Sequence, residues 1–309
     1  MKNTGTYNHV LSGVATAYAG TQTGLVANIL FPAFRSGVQA GEYPIFSAEN
    51  MLNVTRLKQR APGAPYPNIQ LEVGKGKFAT NDYGGVIPLD NRQKKIYRSN
   101  FDADQAATMT LTNTLLINKE WRAKEVLDAS GVPTSTPATK WDAVGGNAKE
   151  DVKLARRAIR QNCGRKPNEI IIASDVFDFL EDSDALREQF KYTSSESLTP
   201  AMLARYFGVE KVTVAEGVTG TAQDGQPISA EDIWAGELIL LYTSNVMSLD
   251  TPTLGRTFVW NENNSSSGEF SAKSWTENNP GSMHHLLMHD VEEAIVAPAC
   301  AYRFQNVLT

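Results

Sequence analysis

Cysteine, histidine and charge are all scarce in this chain, and each shortage excludes something. Its 309 residues hold 2 cysteines, Cys163 and Cys300, far apart and with no CxxC partner. That excludes a disulfide scaffold and a cysteine zinc site, and both side chains read as small apolar fillers. Charged residues are 20% of the chain, below the usual quarter. The 29 Lys+Arg and 34 Asp+Glu leave a net charge of −5. A dedicated DNA-binding protein needs a basic face for phosphates, and this balance argues against one. Long apolar runs are also missing. The stretch from Leu25 to Phe34 is broken by Asn28 and Pro32, and at about 10 residues it is too short to span a bilayer. Met1-Lys2-Asn3-Thr4-Gly5 lacks the apolar run of a signal peptide, so the expected place of synthesis is the cytosol, with no membrane partner. With 41% hydrophobic residues the chain is too apolar to be disordered throughout, and 23 glycines are too few for a collagen-like repeat. Thr, Asn, Ser and Gln fill the gap left by charge. The length suffices for one large domain or two smaller ones.

Chemical signatures are equally sparse. Gly74-Lys75-Gly76-Lys77 resembles a phosphate loop only superficially, because Phe78 stands where Ser or Thr is needed and no helix follows. There is no GxSxG elbow, HExxH or dinucleotide fingerprint. Glu181-Asp182-Ser183-Asp184 lacks the spacing of a calcium loop and reads as a solvated loop. His284, His285 and His289 cluster, and on a helix His285 and His289 would face one way as a zinc pair does. Their surroundings read as strand, and Asp290 alternates to the other face, so a polar sheet face is expected, one able to titrate near 6.5. The reading is of no enzyme: no catalytic residue, no metal and no cofactor is expected.

What is present is a set of parts. Residues 1–45 show no period and carry scattered anchors such as Leu11, Leu30 and Phe31, which suggests an arm laid on its own body or on a neighbour. Residues 46–85 alternate on either side of a broken tip, Ala61-Pro62-Gly63-Ala64-Pro65-Tyr66-Pro67. Asn53–Lys58 and Ile69–Val73 read as the two sides of a long, projecting hairpin, too weak to stand alone. Its basic residues are Arg56, Lys58, Arg60, Lys75 and Lys77.

Residues 102–128 make the strongest helix pattern. Asp102 can cap it, and Ala103, Ala107, Leu111 and Leu115 recur every fourth residue with Leu116 and Trp121 beside them. About 26 residues give a rod of about 39 Å, and its narrow stripe predicts a strut. A second helix from Ala148 to Cys163 has an inner face of Val152, Ala155 and Ile159. Its outer face of Lys149, Lys153, Arg156, Arg157 and Arg160 reads as solvated for lack of interleaved aromatics. A buried-type strand Glu169–Ala173 follows, then a short helix from Ser174-Asp175 to Leu180. A helix opened by Thr199-Pro200 and ended by Gly208 precedes strands over Val209–Ala215 and Glu237–Tyr242. Residues 148–243 thus predict a compact α/β unit. From residue 250 the pattern turns to strands: Thr257–Trp260, Phe270–Trp275, His285–Asp290 and Glu293–Tyr302.

In this order the parts resemble tailed-bacteriophage major capsid proteins, the Hong Kong 97-type shell subunits. The resemblance is carried by Asp151–Arg160, Gly164-Arg165-Lys166-Pro167-Asn168, Ile170–Ala173, Val176–Leu180 and Leu203–Val212, and by the closing Ala294–Tyr302. It covers essentially the whole chain and implies an α+β fold. Residues 1–45 would be the N-terminal arm and 46–85 the extended loop. Residues 86–147 and 250–295 would form a peripheral domain with a spine helix over 102–128. Residues 148–249 and 296–309 would form an axial domain.

The implied function is structural: self-assembly into hexamers and pentamers of an icosahedral head around double-stranded DNA. The implied partners are copies of itself, a scaffolding protein (separate, or already removed), a portal and a decoration protein, with loose contact to the packaged DNA. The implied location is the virion, after synthesis in the host bacterial cytoplasm. Inter-subunit contact would fall to Arg56, Lys58, Arg60, Pro62, Pro65, Tyr66, Lys75 and Lys77. The spine would rest on Ala107, Leu111, Leu115 and Trp121. Two other readings stand beside this one: a cellular nanocompartment shell of the encapsulin type, and an α/β enzyme built on residues 148–243.

Overall fold

Buried apolar runs fall in two regions of the chain and build two sheets, with one long helix between them. The computed structural model describes residues 5–46, 63, 73–97, 102–183, 186, 198–220, 229–244, 246, 252–261, 269–278 and 281–309. In chain order the first elements are β1 (Thr6–Tyr7), α1 (His9–Thr21), α2 (Ala27–Leu30), β2 (Ala33–Ser36), β3 (Ala40–Phe46), β4 (Val73–Ala79) and β5 (Asn81–Asp90). Then come α3 (Asn91–Tyr97), α4 (Ala103–Asp128), β6 (Thr134–Ser135), α5 (Ala148–Cys163), β7 (Glu169–Ala173), α6 (Ser174–Asp182) and α7 (Pro200–Phe207). The chain continues with β8 (Lys211–Ala215), β9 (Val218–Gly220), β10 (Ala230–Asp232), β11 (Leu238–Leu241), β12 (Gly255–Trp260), β13 (Ser271–Glu277), β14 (Ser282–Ile295) and β15 (Ala301–Phe304).

The five-stranded sheet has the order β6-β15-β11-β7-β8. Its middle strands, Glu169-Ile170-Ile171-Ile172-Ala173 and Leu238-Ile239-Leu240-Leu241, are buried at every position. Continuous apolar runs of this kind are required where both faces of a strand are covered. The inner face of α5 (Val152, Ala155, Ile159, Cys163) belongs to this core, with Leu203 and Phe207 of α7. Both α5 and α7 have a local reason to begin and end. The Asn147 side chain accepts from the Glu150 amide at 3.2 Å, and Thr199 Oγ1 accepts from the Met202 amide at 3.4 Å. Gly164 and Gly208 end α5 and α7 at φ 74° and 65°, the left-handed conformation that glycine adopts without a Cβ clash.

The six-stranded sheet has the order β1-β13-β14-β12-β2, with β5 also paired to β14. β14 is its axle: residues 282–288 lie between β13 and β5, and residues 291–295 pair with β12. Two short ribbons, β3–β4 and β9–β10, stand outside both sheets.

The structure revises several expectations. Residues 9–21 form a helix although no apolar period marks it; Asn8 caps it, and Leu11 and Ala15 pack with Leu111, Leu115 and Leu287. Val26, Ala27, Leu30 and Phe31 lie in the core of the five-stranded sheet, so these anchors rest on the chain's own body. The two runs expected over His285–Asp290 and Glu293–Tyr302 are one strand to Ile295, a 3₁₀ turn at Pro298–Cys300, and β15 in the other sheet. Pro298 offers no amide to a ladder and breaks the run there. The cysteines are not two separate fillers. Cys163 ends α5, Cys300 ends the 3₁₀ turn, and the fold joins them as a disulfide with Cα atoms 5.3 Å apart. A sequence separation of 137 residues hid that meeting.

Ile171→Ala, in the middle of β7, is expected to cost about 2–5 kcal/mol, because it leaves a cavity with both faces covered. Val144→Ala, at a fully exposed side chain, is expected to change nothing measurable. Denaturant midpoints of the two variants check this.

Candidate assembly elements

The β3–β4 ribbon flanks the segment expected to form the projecting hairpin, and its pairing lies further out in sequence than the pattern suggested. Seven pairs hold it, from Ala40 opposite Ala79 to Phe46 opposite Val73. The stem is fixed at one end by aromatic packing. Phe78 stacks on Phe258 with ring centroids 4.3 Å apart, and Tyr43 lies 5.0 Å from the same ring. Tyr43 donates to the Ile295 carbonyl at 3.3 Å, and the Ala79 amide donates to the Glu292 carboxylate. Lys75 and Lys77 are exposed on β4. Lys75 pairs with Glu42 at 3.1 Å, a contact that contributes little while both partners face water. Arg56, Lys58, Arg60, Pro62, Pro65 and Tyr66 lie outside the described residues, as do the expected strands Asn53–Lys58 and Ile69–Val73 apart from Val73 itself.

The spine helix α4 begins where its sequence signal lies. Asp102 Oδ1 accepts from the amides of Asp104 and Gln105 at 3.0 and 3.4 Å. Seven of its eleven buried residues run in a row of fourth neighbours, 103, 107, 111, 115, 119, 123 and 127, with 108, 112, 116 and 120 in a second row beside them. Four residues turn a helix by about 400°, so the row drifts by about 40° per step and about 240° over its length. The buried face therefore winds around the helix. Leu111, Leu115 and Leu116 pack with the six-stranded sheet, whereas Ala123 and Leu127 enter the core of the five-stranded one. Trp121 lies on the outer side, 38% exposed. α4 is thus more deeply built in than a strut with a modest face.

That winding carries charge into the interior, and every buried charge meets a partner. Lys119 Nζ donates to Asn28 Oδ1 at 2.7 Å and to Glu269 Oε1 at 2.8 Å. Glu120 accepts from the Ala27 amide at 2.7 Å and from Trp234 Nε1 at 2.8 Å. Arg122 binds both oxygens of Glu293 on β14, at 3.1 and 3.2 Å, and covers the Tyr83 ring at 3.9 Å. Lys124 donates to the Ile233 carbonyl and lies 3.6 Å from Glu237. Glu237 in turn takes Arg303 of β15 in a two-bond fork at 2.9 and 2.7 Å, and Arg303 also reaches Asp128. Successive turns of one helix thereby bind the N-terminal segment, the six-stranded sheet and the five-stranded sheet.

The histidines are not a polar sheet face. His285 and His289 are buried against α4. His285 lies 2.9 Å from Asp104 and 3.1 Å from Ser274 Oγ. His289 is stacked on Phe270, edge-on to Tyr83, 3.4 Å from Arg122 Nη2 and 3.4 Å from Glu269. The last contact is long, and His289 Nδ1 makes no well-formed hydrogen bond. His284 alone is on the outer side, stacked on Trp275 beside Glu277. Among the described residues no group of three or more His, Cys, Asp or Glu is placed to hold a metal. Burial pushes the His289 pKa below its ordinary 6.5, against the pull of Glu269. Burial would raise Glu269, but Lys119 and His289 together hold its carboxyl well below the usual range.

Lys119→Met leaves the Glu269 carboxylate buried and short of its cation, an expected loss of about 3–5 kcal/mol. Adding Glu269→Gln should restore part of it, since the pair is coupled; thermal unfolding of the single and double variants reads this. Both titrations weaken the fold in acid. A histidine whose folded pKa is lowered takes up a proton on unfolding, so its stability is lost as pH falls below 6.5, and Glu269 adds to the loss below its ordinary 4.5. The melting temperature should drop between about pH 7.5 and pH 5.5 in the parent (about one unit either side of an unperturbed histidine), and the drop should flatten in His289→Asn.

No protein-family model matches the chain. A curated relative, the "Major capsid protein" of Burkholderia phage BcepMu, is 24% identical over 244 residues, 75% of each chain. Among solved structures, a phage-related protein from Bordetella bronchiseptica RB50 superposes with a TM-score of 0.75 at 18% identity, covering 99% of both chains. A virus-like particle from Pyrococcus furiosus gives 0.59 at 12% identity, covering 96% of this chain and 98% of the other. The capsid of a native GTA particle gives 0.58 at 10% identity over 92% and 90%. The resemblance carried by residues 148–215 and the closing segment is thus borne out along the whole length: this chain has the α+β shell fold of Hong Kong 97-type phage capsid proteins.

Proposed function

We propose that this chain is the major capsid protein of a phage head, a structural tile that assembles with copies of itself around double-stranded DNA. The observation that carries the reading is end-to-end fold agreement, 99% of both chains in one solved phage-related protein, alongside a curated relative named for the capsid. The β3–β4 stem supports it physically. Its aromatic root is docked on the body, and a two-stranded ribbon gains stability only against a further surface. A contact of loop onto neighbour is heterologous, and such contacts close into rings.

In this reading residues 1–45 are the arm, 46–85 the loop onto the next subunit, 86–147 with 250–295 the peripheral domain, and 148–249 with 296–309 the axial domain. Arg56, Lys58, Arg60, Pro62, Pro65, Tyr66, Lys75 and Lys77 make the loop contact. Scaffolding, portal and decoration proteins are its expected partners, and the virion its expected location after synthesis in the host cytoplasm. A second reading keeps the same shell fold, shared by a virus-like particle from Pyrococcus furiosus, but around protein cargo in place of DNA. Contents separate the two: the absorbance ratio of purified particles reports DNA in the first and protein in the second.

Deleting Pro62–Pro67 removes the loop tip and leaves both sheets intact. The expected result is a folded protein, by circular dichroism, that gives no closed shells by negative-stain microscopy. Normal shells from the deletion would sink the loop assignment.

A further inference from the structure

Positive charge is concentrated on one helix of a chain whose total is −5. Between residues 148 and 166 stand seven cations and two carboxylates, a net of +5, so the remaining residues carry −10. The outer side of α5 and the turn after it form an open groove of about 460 Å³ lined by Lys153, Leu154, Arg156, Arg157, Arg160 and Lys166. Arg156 is engaged within the fold, donating to the Phe207 carbonyl at 2.6 Å. Lys153, Arg157, Arg160 and Lys166 are exposed. In their midst Leu154 is 59% exposed, with Pro167 at the margin.

The chemistry of the groove selects its occupant. A phosphate backbone would use the cations, gain nothing from Leu154, and be repelled by Glu150 at the groove's end. An acidic protein segment with an apolar residue uses all of it. The rest of this same chain is acidic, and α6 carries such a face. Asp178 and Asp182 are exposed one turn apart, with the half-buried Phe179 between them. Lys153 and Arg157 stand one turn apart on α5, so the two charge rows share a spacing of about 6 Å.

We propose that the basic groove of α5 docks the acidic face of α6 from a second copy of this chain. The proposal rests on the self-assembly reading above and deepens it. Two different surfaces meet, so the contact is head-to-tail and propagates around a ring. Individual exposed ion pairs contribute little; the row acts by orienting the neighbour and rejecting wrong registers.

The test is a charge swap in the full-length chain. Arg157→Glu/Arg160→Glu and Asp178→Lys/Asp182→Lys are made singly and combined, with circular dichroism to establish folding. Each reversal alone is expected to lower the yield of particles about tenfold or more by sedimentation and microscopy, because like charges then face each other. The combined variant restores complementarity and should recover particles. Normal particles from either reversal would overturn the proposal. So would normal particles with reduced nucleic-acid absorbance, which would give the groove to the packaged DNA, or a folded combined variant that fails to recover. Absence of any particle from the parent chain would instead overturn the self-assembly reading itself.

Discussion

The structure depends on the charged turns of α4. Lys119, Glu120, Arg122, Lys124 and Asp128 reach into the space between the two sheets and bind five separate segments. Taking an ion out of water costs several kcal/mol, and a partner repays this only with good geometry. The ladder is therefore a poor source of net stability and a strong source of selection. Any placement of the sheets other than the observed one strands a charge, whereas apolar packing alone tolerates small slips. In the shell-subunit reading proposed above, a fixed angle between the two halves would help set the geometry of contacts between copies.

The same economy explains the surface. In the reading proposed above, a chain with only 20% charged residues would bury little charge when copies meet, and the net −5 would keep a container from gripping its contents. The β3–β4 stem is held on the body by Phe78 and Tyr43 against Phe258, by the Tyr43 hydroxyl on the Ile295 carbonyl and by the Ala79 amide on Glu292.

Much of this was legible in the sequence, for identifiable reasons. Helices α4, α5 and α7 carry caps, stops and periods, and β7 is a continuous apolar run, so local rules found them. The unseen parts are those governed by distant partners. The α1 helix has no period because its few anchors face α4. The winding of the α4 stripe also concealed its burial: residues every fourth position drift around the helix, so no single face looks apolar. Lys119 and Glu120 read as surface until Asn28, Glu269, Ala27 and Trp234 are placed beside them. His289 was misread for the same reason, since strand alternation gives its side of the sheet and not what covers that side. The Cys163–Cys300 pair likewise follows from the meeting of α5 with the 3₁₀ turn, which no spacing encodes.

The most direct measurement is a cryo-electron microscopy reconstruction of particles formed by the full-length chain. A shell subunit of this kind should give a closed icosahedral particle of hexamers and pentamers, with each β3–β4 hairpin lying across the adjacent copy and each α4 unchanged within its own. A monomer or small closed oligomer, with the hairpin folded back on its own body, would contradict it.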